Sequence, residues 1–113
     1  MSAIPINLLA EKGTDFSTVL VLRDEYGQYV NLTSYSIAAK YSSSYISSTK
    51  YNFTVSIVNA VGGTIEIKLN SSQTTQLKLH RYVYDVVITA PINTGGRKTR
   101  VIEGILEVSP GVS

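Results

Sequence analysis

The sequence predicts an all-β fold, an antiparallel immunoglobulin-like β-sandwich of about seven or eight strands. Apolar residues recur with a period of two along most of the chain, and this spacing places alternate side chains on one face of a strand. Segments rich in Gly, Asn, Asp and Ser separate these stretches and indicate turns. Because the strands differ in length and show no internal repeat, a sandwich is favoured over a closed barrel.

Length and composition indicate one small domain. With 113 residues, 43% of them hydrophobic, we predict a single β-sandwich domain over residues 1–113, with residues 1–12 as an extended N-terminal arm. The segment Ile4-Pro5-Ile6 in that arm suits strand addition at the edge of a neighbouring subunit, because an edge tolerates proline. Only 16% of the residues are charged, below the roughly 25% of average soluble domains, which suits a protein surrounded by neighbours.

The first half of the chain contains three predicted strands. Residues 15–22 alternate as a half-buried strand, and the polar turn at 24–27 sends residues 29–32 back as a short hairpin arm. Residues 35–41 alternate again and form the third strand. The patterning stops in the Ser-rich segment 42–50, which we interpret as an exposed loop or a loosely ordered edge that a partner would order.

A hairpin and a short helical turn follow. Residues 53–57 and 65–69 alternate cleanly, and the pair Gly62-Gly63 between them supplies the positive φ of a tight connection. Residues 70–77 begin with cap-type side chains but contain too few apolar positions for a full helix. We therefore expect one helical turn that crosses between the two sheets.

The last part of the chain predicts two paired strands. Residues 82–89 carry apolar side chains on both faces and indicate a central strand, and residues 91–98 form a long hairpin loop. Residues 99–108 return as a strand with Val101 and Ile102 on opposite faces.

Two positions in these strands add detail. Tyr82 opens the central strand directly after the crossing, which resembles the tyrosine corner of immunoglobulin-like domains. Gly104 lies on the same face as Ile102, where its missing side chain would admit a neighbouring tyrosine ring.

The sequence gives little support for catalysis. It contains no cysteine, which excludes thiolate nucleophiles and zinc sites built on thiolates. His80 is the single histidine and no nucleophile-elbow motif accompanies it, so we interpret it as a solvent-exposed loop residue. Glu103 and Glu107 alternate on a strand face that we expect to be solvated. We predict that the protein is not an enzyme and has no cofactor or metal site.

The candidate site residues are therefore interface residues. Tyrosine is enriched at interfaces, and Tyr41, Tyr45 and Tyr51 bracket the Ser-rich segment. Asp85 lies in an otherwise apolar strand, so it either accepts hydrogen bonds from a backbone group or from a basic residue such as Arg100 on the adjacent strand, or forms an intersubunit salt bridge.

Basic residues form the remaining candidate surface. We expect them to cluster at one end of the sandwich, as a solvated rim or a contact with an acidic protein neighbour. The set comprises Lys78, His80, Arg81, Arg97, Lys98 and Arg100. A basic surface with tyrosines nearby also suits single-stranded nucleic acid, but eight acidic residues dilute the field and no recognition motif is present. We expect no nucleic-acid partner.

Four stretches of the sequence carry a family resemblance that extends over nearly the whole chain. They read GTDFSTVLVLRDEYGQYVNLTSYSIAAK, GGTIEIKLNSSQTTQL, RYVYDVVI and TRVIEGILEVSPGVS. The sharpest parts are Tyr84-Asp85 and Val101-Ile102-Glu103-Gly104, followed by Val108-Ser109-Pro110. The chain resembles small β-sandwich virion structural proteins of tailed bacteriophages, especially contractile-tailed cyanophages, and is similar to modules of phage upper baseplate proteins.

This resemblance implies a non-enzymatic virion component that assembles by protein–protein contacts into the tail, neck or baseplate. Its partners would be other virion proteins and further copies of itself in a homo-oligomer. It would be made in the host bacterial cytoplasm without a membrane partner, and the chain has no signal-peptide pattern and no apolar run of about 18 residues. The alternatives are a capsid decoration protein, or an adhesion module that binds a host surface glycan or receptor.

Overall fold

A computed structural model describes residues 3–24, 26–78 and 80–110 of the chain. The described residues form nine strands, one short α-helix and a 3₁₀ turn at Ile92–Thr94. The strands are β1 (Ile4–Pro5), β2 (Leu8–Glu11), β3 (Phe16–Val21), β4 (Ser36–Ser42), β5 (Tyr51–Asn52), β6 (Thr54–Asn59), β7 (Thr64–Leu69), β8 (Arg81–Thr89) and β9 (Lys98–Ser109), and the helix is α1 (Ser71–Thr75).

Two sheets build the molecule. The larger sheet has the order β5-β4-β8-β9, with β1 and β2 both on the outer edge of β9, and the smaller sheet has the order β3-β7-β6. Helix α1 connects β7 to β8 and so crosses from the smaller sheet to the larger one, as predicted. The apolar faces of both sheets contribute to one buried core. The predicted all-β sandwich is confirmed, and its immunoglobulin-like topology stays a prediction.

Phe53 lies where the chain changes sheets. It separates β5 from β6, and its amide donates to the Ala39 carbonyl at 2.9 Å. Its buried ring contacts Phe16 of the smaller sheet, with centroids 6.3 Å apart. On the other side it contacts Tyr41 and Tyr84 of the larger sheet, at 5.0 and 6.1 Å. A single aromatic side chain therefore joins both layers of the core.

The predicted faces of β8 and β9 agree with the structure except at Val101. A β-bulge interrupts their register, because Val86 pairs with Ile102 while Val87 pairs with Arg100. Val101 is the extra residue, and both it and Ile102 are buried, at 2% and 1% exposure. The prediction that these two residues lie on opposite faces was wrong, because a bulge shifts the alternation by one position.

The predicted hairpin arm at residues 29–32 is also shorter than expected. A single bridge joins Arg23 to Tyr29, and the Val30 amide donates to the Leu22 carbonyl at 3.0 Å. The segment then turns inward, since Leu32 is fully buried and its amide donates to the Ala60 carbonyl at 2.7 Å.

The N-terminal arm departs from the antiparallel prediction. Strands β1 and β2 run parallel to β9, with Ile4 opposite Ile102 and Leu8 opposite Leu106. Strand β9 spans 12 residues and would leave a long open edge without this cover. The arm therefore pairs with its own chain, in the direction that lets it extend along β9 before the chain turns into the smaller sheet.

A tyrosine and a glycine hold the arm at the break between β1 and β2. The Tyr84 hydroxyl donates to the Ile6 carbonyl, and the Ile6 amide donates to the Glu103 carbonyl at 2.9 Å. Gly104 pairs with Tyr84 across the sheet. A Cβ at Gly104 would lie 3.2 Å from the Tyr84 ring and 2.8 Å from the carbonyl carbon of Ile6. The prediction that Gly104 admits a tyrosine ring is confirmed, and the same gap also admits the arm backbone.

We expect Gly104→Ala to loosen the arm. The added methyl group overlaps the Ile6 carbonyl, and overpacking of this kind costs about 1–3 kcal/mol. Urea denaturation should show a lower free energy of unfolding. Hydrogen exchange should show faster exchange at the Ile6 amide and unchanged protection in β7. Unchanged protection at Ile6 would contradict this role of Gly104.

Tyr84 should make stability sensitive to alkaline pH. Burial, and to a smaller extent the nearby Tyr45, raise the pKa of Tyr84 from 10.0 to about 12. Above pH 10 the unfolded chain loses this proton while the folded chain keeps it, so the stabilisation is complete below pH 10 and is lost as the pH rises towards about 12. Urea denaturation of wild type and Tyr84→Phe between these pH values should show that the free energy of unfolding falls less steeply with pH in the variant. The control is Tyr26→Phe at an exposed position, for which the free energy of unfolding should fall as steeply as in wild type.

Candidate binding cleft

A cleft of about 520 Å³ lies between the loop at 43–50 and helix α1. Its volume falls within the roughly 300–1,000 Å³ of small-molecule sites. The residues that line it are Tyr41, Ser43, Ser47, Thr49, Tyr51, Gln73, Gln76, Leu77, Lys78 and Tyr82. The lining therefore combines aromatic rings with hydroxyl and amide groups.

Three tyrosines form the aromatic side of the cleft. Tyr41 and Tyr51 pair across β4 and β5, and their rings stack with centroids 5.3 Å apart and planes at 26°. Tyr82 meets Tyr41 edge-on at 5.5 Å. Tyr41 and Tyr82 are buried at 6% exposure each, whereas Tyr51 is 48% exposed. Burial, followed by the neighbouring Tyr82 and Tyr51, raises the pKa of Tyr41.

The Ser-rich loop forms one wall of the cleft and is closed by the chain itself. The buried Ser42 hydroxyl donates to the Thr49 carbonyl at 2.8 Å, and the Ser47 amide donates to the Ser44 carbonyl at 3.3 Å. These bonds lie above the hairpin pairing of Tyr41 with Tyr51. We expected that a partner would be needed to order this segment. In the structure, internal hydrogen bonds already connect the two ends of the loop.

Helix α1 forms the opposite wall. Asn70 caps it, since its side-chain oxygen accepts from the Gln73 amide at 2.8 Å while the Gln73 side chain accepts from the Asn70 amide at 2.9 Å. The buried Thr74 hydroxyl accepts from the Gly13 amide at 3.1 Å and donates to the Thr14 carbonyl at 2.7 Å. These bonds fix the orientation of a helix of only five residues.

The end of α1 joins the cleft to β8 through a tyrosine hydroxyl. The Lys78 amide donates to the Tyr82 hydroxyl at 3.0 Å, four residues along the chain. This contact has the local form of the predicted tyrosine corner. Among the described residues that line the cleft, Lys78 alone carries a charge.

The three tyrosines predicted as interface residues have different surroundings. Tyr41 is a core residue, Tyr51 is an exposed ring in the cleft, and Tyr45 lies outside the cleft with 52% exposure. Tyr45 instead lines a smaller depression beside Lys40 and Asp85. Only two of the three are therefore accessible to a partner in this structure.

Asp85 pairs within the chain. Its carboxylate lies 3.2 Å from Nε of Arg100, and Nη1 of Arg100 lies 3.7 Å from the Glu103 carboxylate. This confirms the alternative in which Arg100 on the adjacent strand compensates Asp85. The intersubunit salt bridge stays a prediction. Because about half of the Arg100 side chain is exposed, the pair contributes little to stability.

The predicted cluster of basic residues was wrong. Arg81 pairs with Glu107 at one end of β8, and Lys98 pairs with Thr89 at the other end. Since β8 spans nine residues, these ends are separated by about 27 Å. Arg97 and Lys98 thus belong to the hairpin end of the sandwich, whereas Lys78 and the exposed His80 precede the opposite end.

Searches of protein-family models and of curated protein sequences find no match to this chain. Within residues 3–24, 26–78 and 80–110, no three His, Cys, Asp or Glu side chains form a group suited to a metal ion. In the same ranges, no helix combines the length and apolar character needed to cross a membrane.

Sequence reasoning missed the contribution of α1 to the cleft. The pattern from Asn70 to Gln73 indicates a capping box, so the start of the helical turn was readable. The position of Gln76 opposite the Ser-rich loop depends on where the chain crosses between sheets, which local pattern does not determine. The one available signal was the concentration of amide and hydroxyl side chains in both segments.

We expect Thr74→Val to destabilise the helix wall. The substitution conserves shape but leaves the Gly13 amide and the Thr14 carbonyl without their buried partner, at a cost of about 1–3 kcal/mol. Thr75→Val is the matched control, because the Thr75 hydroxyl is exposed and donates only to the Ser71 carbonyl. Urea denaturation of both variants checks the difference, and equal losses would argue against Thr74 as the anchor.

Proposed function

We propose that this chain is a non-enzymatic structural component of a tailed-bacteriophage virion, in the tail, neck or baseplate, that assembles through protein–protein contacts. The sequence resemblance supplies the viral context. The β-sandwich fold is compatible with it. The structural observation that carries the assembly role is the character of the smaller sheet.

Both edge strands of the smaller sheet expose apolar side chains. On β3, Val19 and Val21 are 55% and 44% exposed, and on β6, Ile57 and Val58 are 43% and 60% exposed. Neither strand contains a charged residue or a proline. Natural proteins protect sheet edges with such residues, and exposed apolar edges are typical of surfaces that receive a partner.

The edges of the two sheets differ in whether another segment covers them. In the larger sheet the arm covers the long edge of β9. In the smaller sheet the described part of the chain places no further strand beside β3 or β6. A bulge between Ile57 and Asn59 distorts β6, whereas β3 pairs with β7 without irregularity over six residues. Strand β3 is therefore the better template for a strand or sheet of a neighbouring subunit.

The viral role is tested on particles. Purified virions of the phage that encodes the chain should contain it in many copies by quantitative mass spectrometry. Antibody labelling in electron micrographs should mark the tail, neck or baseplate. Labelling of the capsid surface would instead support a decoration protein, and absence from purified virions would overturn the proposal.

The β3 edge should control self-association. Val19→Lys combined with Val21→Lys places two charges on this strand, so the dissociation constant of the homo-oligomer should rise about tenfold or more. Light scattering after size-exclusion chromatography, over a concentration series, measures the change. Leu9→Lys is the control, because Leu9 is 61% exposed on the larger sheet. Equal effects of the double substitution and of Leu9→Lys, or a wild-type monomer at all concentrations, would contradict assembly through β3.

A further inference from the structure

The cleft between the Ser-rich loop and α1 has features that the assembly role does not use. Tyr51 presents a broad ring that is 48% exposed, and the stack with Tyr41 supports this ring from below. Both walls are fixed by internal hydrogen bonds, at Ser42 on the loop and at Thr74 on the helix. A supported aromatic face between fixed walls is a preorganised binding surface.

The rim of the cleft offers unused hydrogen-bonding groups. Within the described part of the chain, the side chains of Ser43, Thr49 and Gln76 and the Tyr51 hydroxyl have no hydrogen-bond partner. Hydroxyl and amide groups both donate and accept hydrogen bonds. Their natural complement is a ligand with many hydroxyl groups and an apolar face.

We propose that this cleft is a binding site for a neutral oligosaccharide, in which one pyranose ring packs its C–H face on Tyr51. The hydroxyl groups of the sugar bond to Gln76, Thr49 and Ser43, and the Lys78 ammonium donates to a ring or hydroxyl oxygen. The inference goes beyond the virion role and does not depend on it.

The lining favours a sugar over a peptide. Grooves that bind extended proline-rich peptides present several exposed aromatic rings. Here Tyr41 and Tyr82 are buried at 6% exposure each, so Tyr51 is the one exposed ring among the described residues that line the cleft. One aromatic platform surrounded by amide and hydroxyl side chains suits one sugar ring with polar neighbours.

A glycan array screened with the full chain, followed by saturation-transfer NMR and calorimetry on the sugars that bind, tests the site. We expect binding of at least one neutral pyranoside, and about tenfold weaker binding by Gln76→Ala and by Tyr51→Ala. The controls are Gln28→Ala and Tyr45→Ala, which change exposed residues outside the cleft lining and should bind as wild type does.

Stability is measured for every variant, so that unfolding is separated from loss of contact. Gln76 is exposed on the surface, which makes Gln76→Ala the decisive variant if Tyr51→Ala weakens the fold. Failure to bind any neutral glycan would overturn the proposal, as would binding that survives both cleft variants. Competition for the cleft by a proline-rich peptide, without sugar binding, would assign it to protein recognition instead. None of these outcomes alters the test on purified virions.

Discussion

The structure depends on the aromatic contacts around Phe53. One continuous stretch of chain leaves the larger sheet at β5 and enters the smaller sheet at β6, and Phe53 lies at that junction. Its ring touches Phe16 below and Tyr41 and Tyr84 above. Tyr41 in turn stacks on Tyr51 in the cleft, and the Tyr84 hydroxyl donates to the arm at the Ile6 carbonyl. One buried side chain therefore contacts residues of both sheets, a tyrosine of the cleft and the tyrosine that holds the arm.

The surfaces of the molecule differ in whether their backbone hydrogen-bonding groups have partners within the chain. At β9 the arm supplies the missing partners, and at the Ser-rich loop Ser42 closes the turn. At β3 and β6 the described part of the chain places no strand against the outer edges, and exposed apolar side chains lie on these strands. The proposed assembly surface and the proposed sugar site thus differ in kind, since the first offers backbone and apolar groups and the second offers side-chain hydroxyls and amides.

Much of the fold was predictable from local pattern. The alternation in β4, β7 and β8 and the turn at α1 depend on neighbouring residues, and the sequence indicates them directly. The bulge at Val101 and the parallel pairing of the arm depend on contacts between distant segments, and no local period reports them. The cleft shows the same division. Tyr41 and Tyr51 were named from composition, but the burial of Tyr41 and the approach of Gln76 follow from tertiary packing.

The pairing of the arm with β9 also determines when the fold is completed. The bond from the Ile105 amide to the Asn7 side chain joins residues 98 positions apart, and the bond from Tyr84 to Ile6 spans 78. Contacts of such separation form slowly, because a long loop must close before they are gained. During synthesis the arm emerges before β9, the strand that it covers. An arm whose own β9 has not yet formed is free to pair with β9 of another copy, so closure within one chain competes with domain swapping at high local concentration.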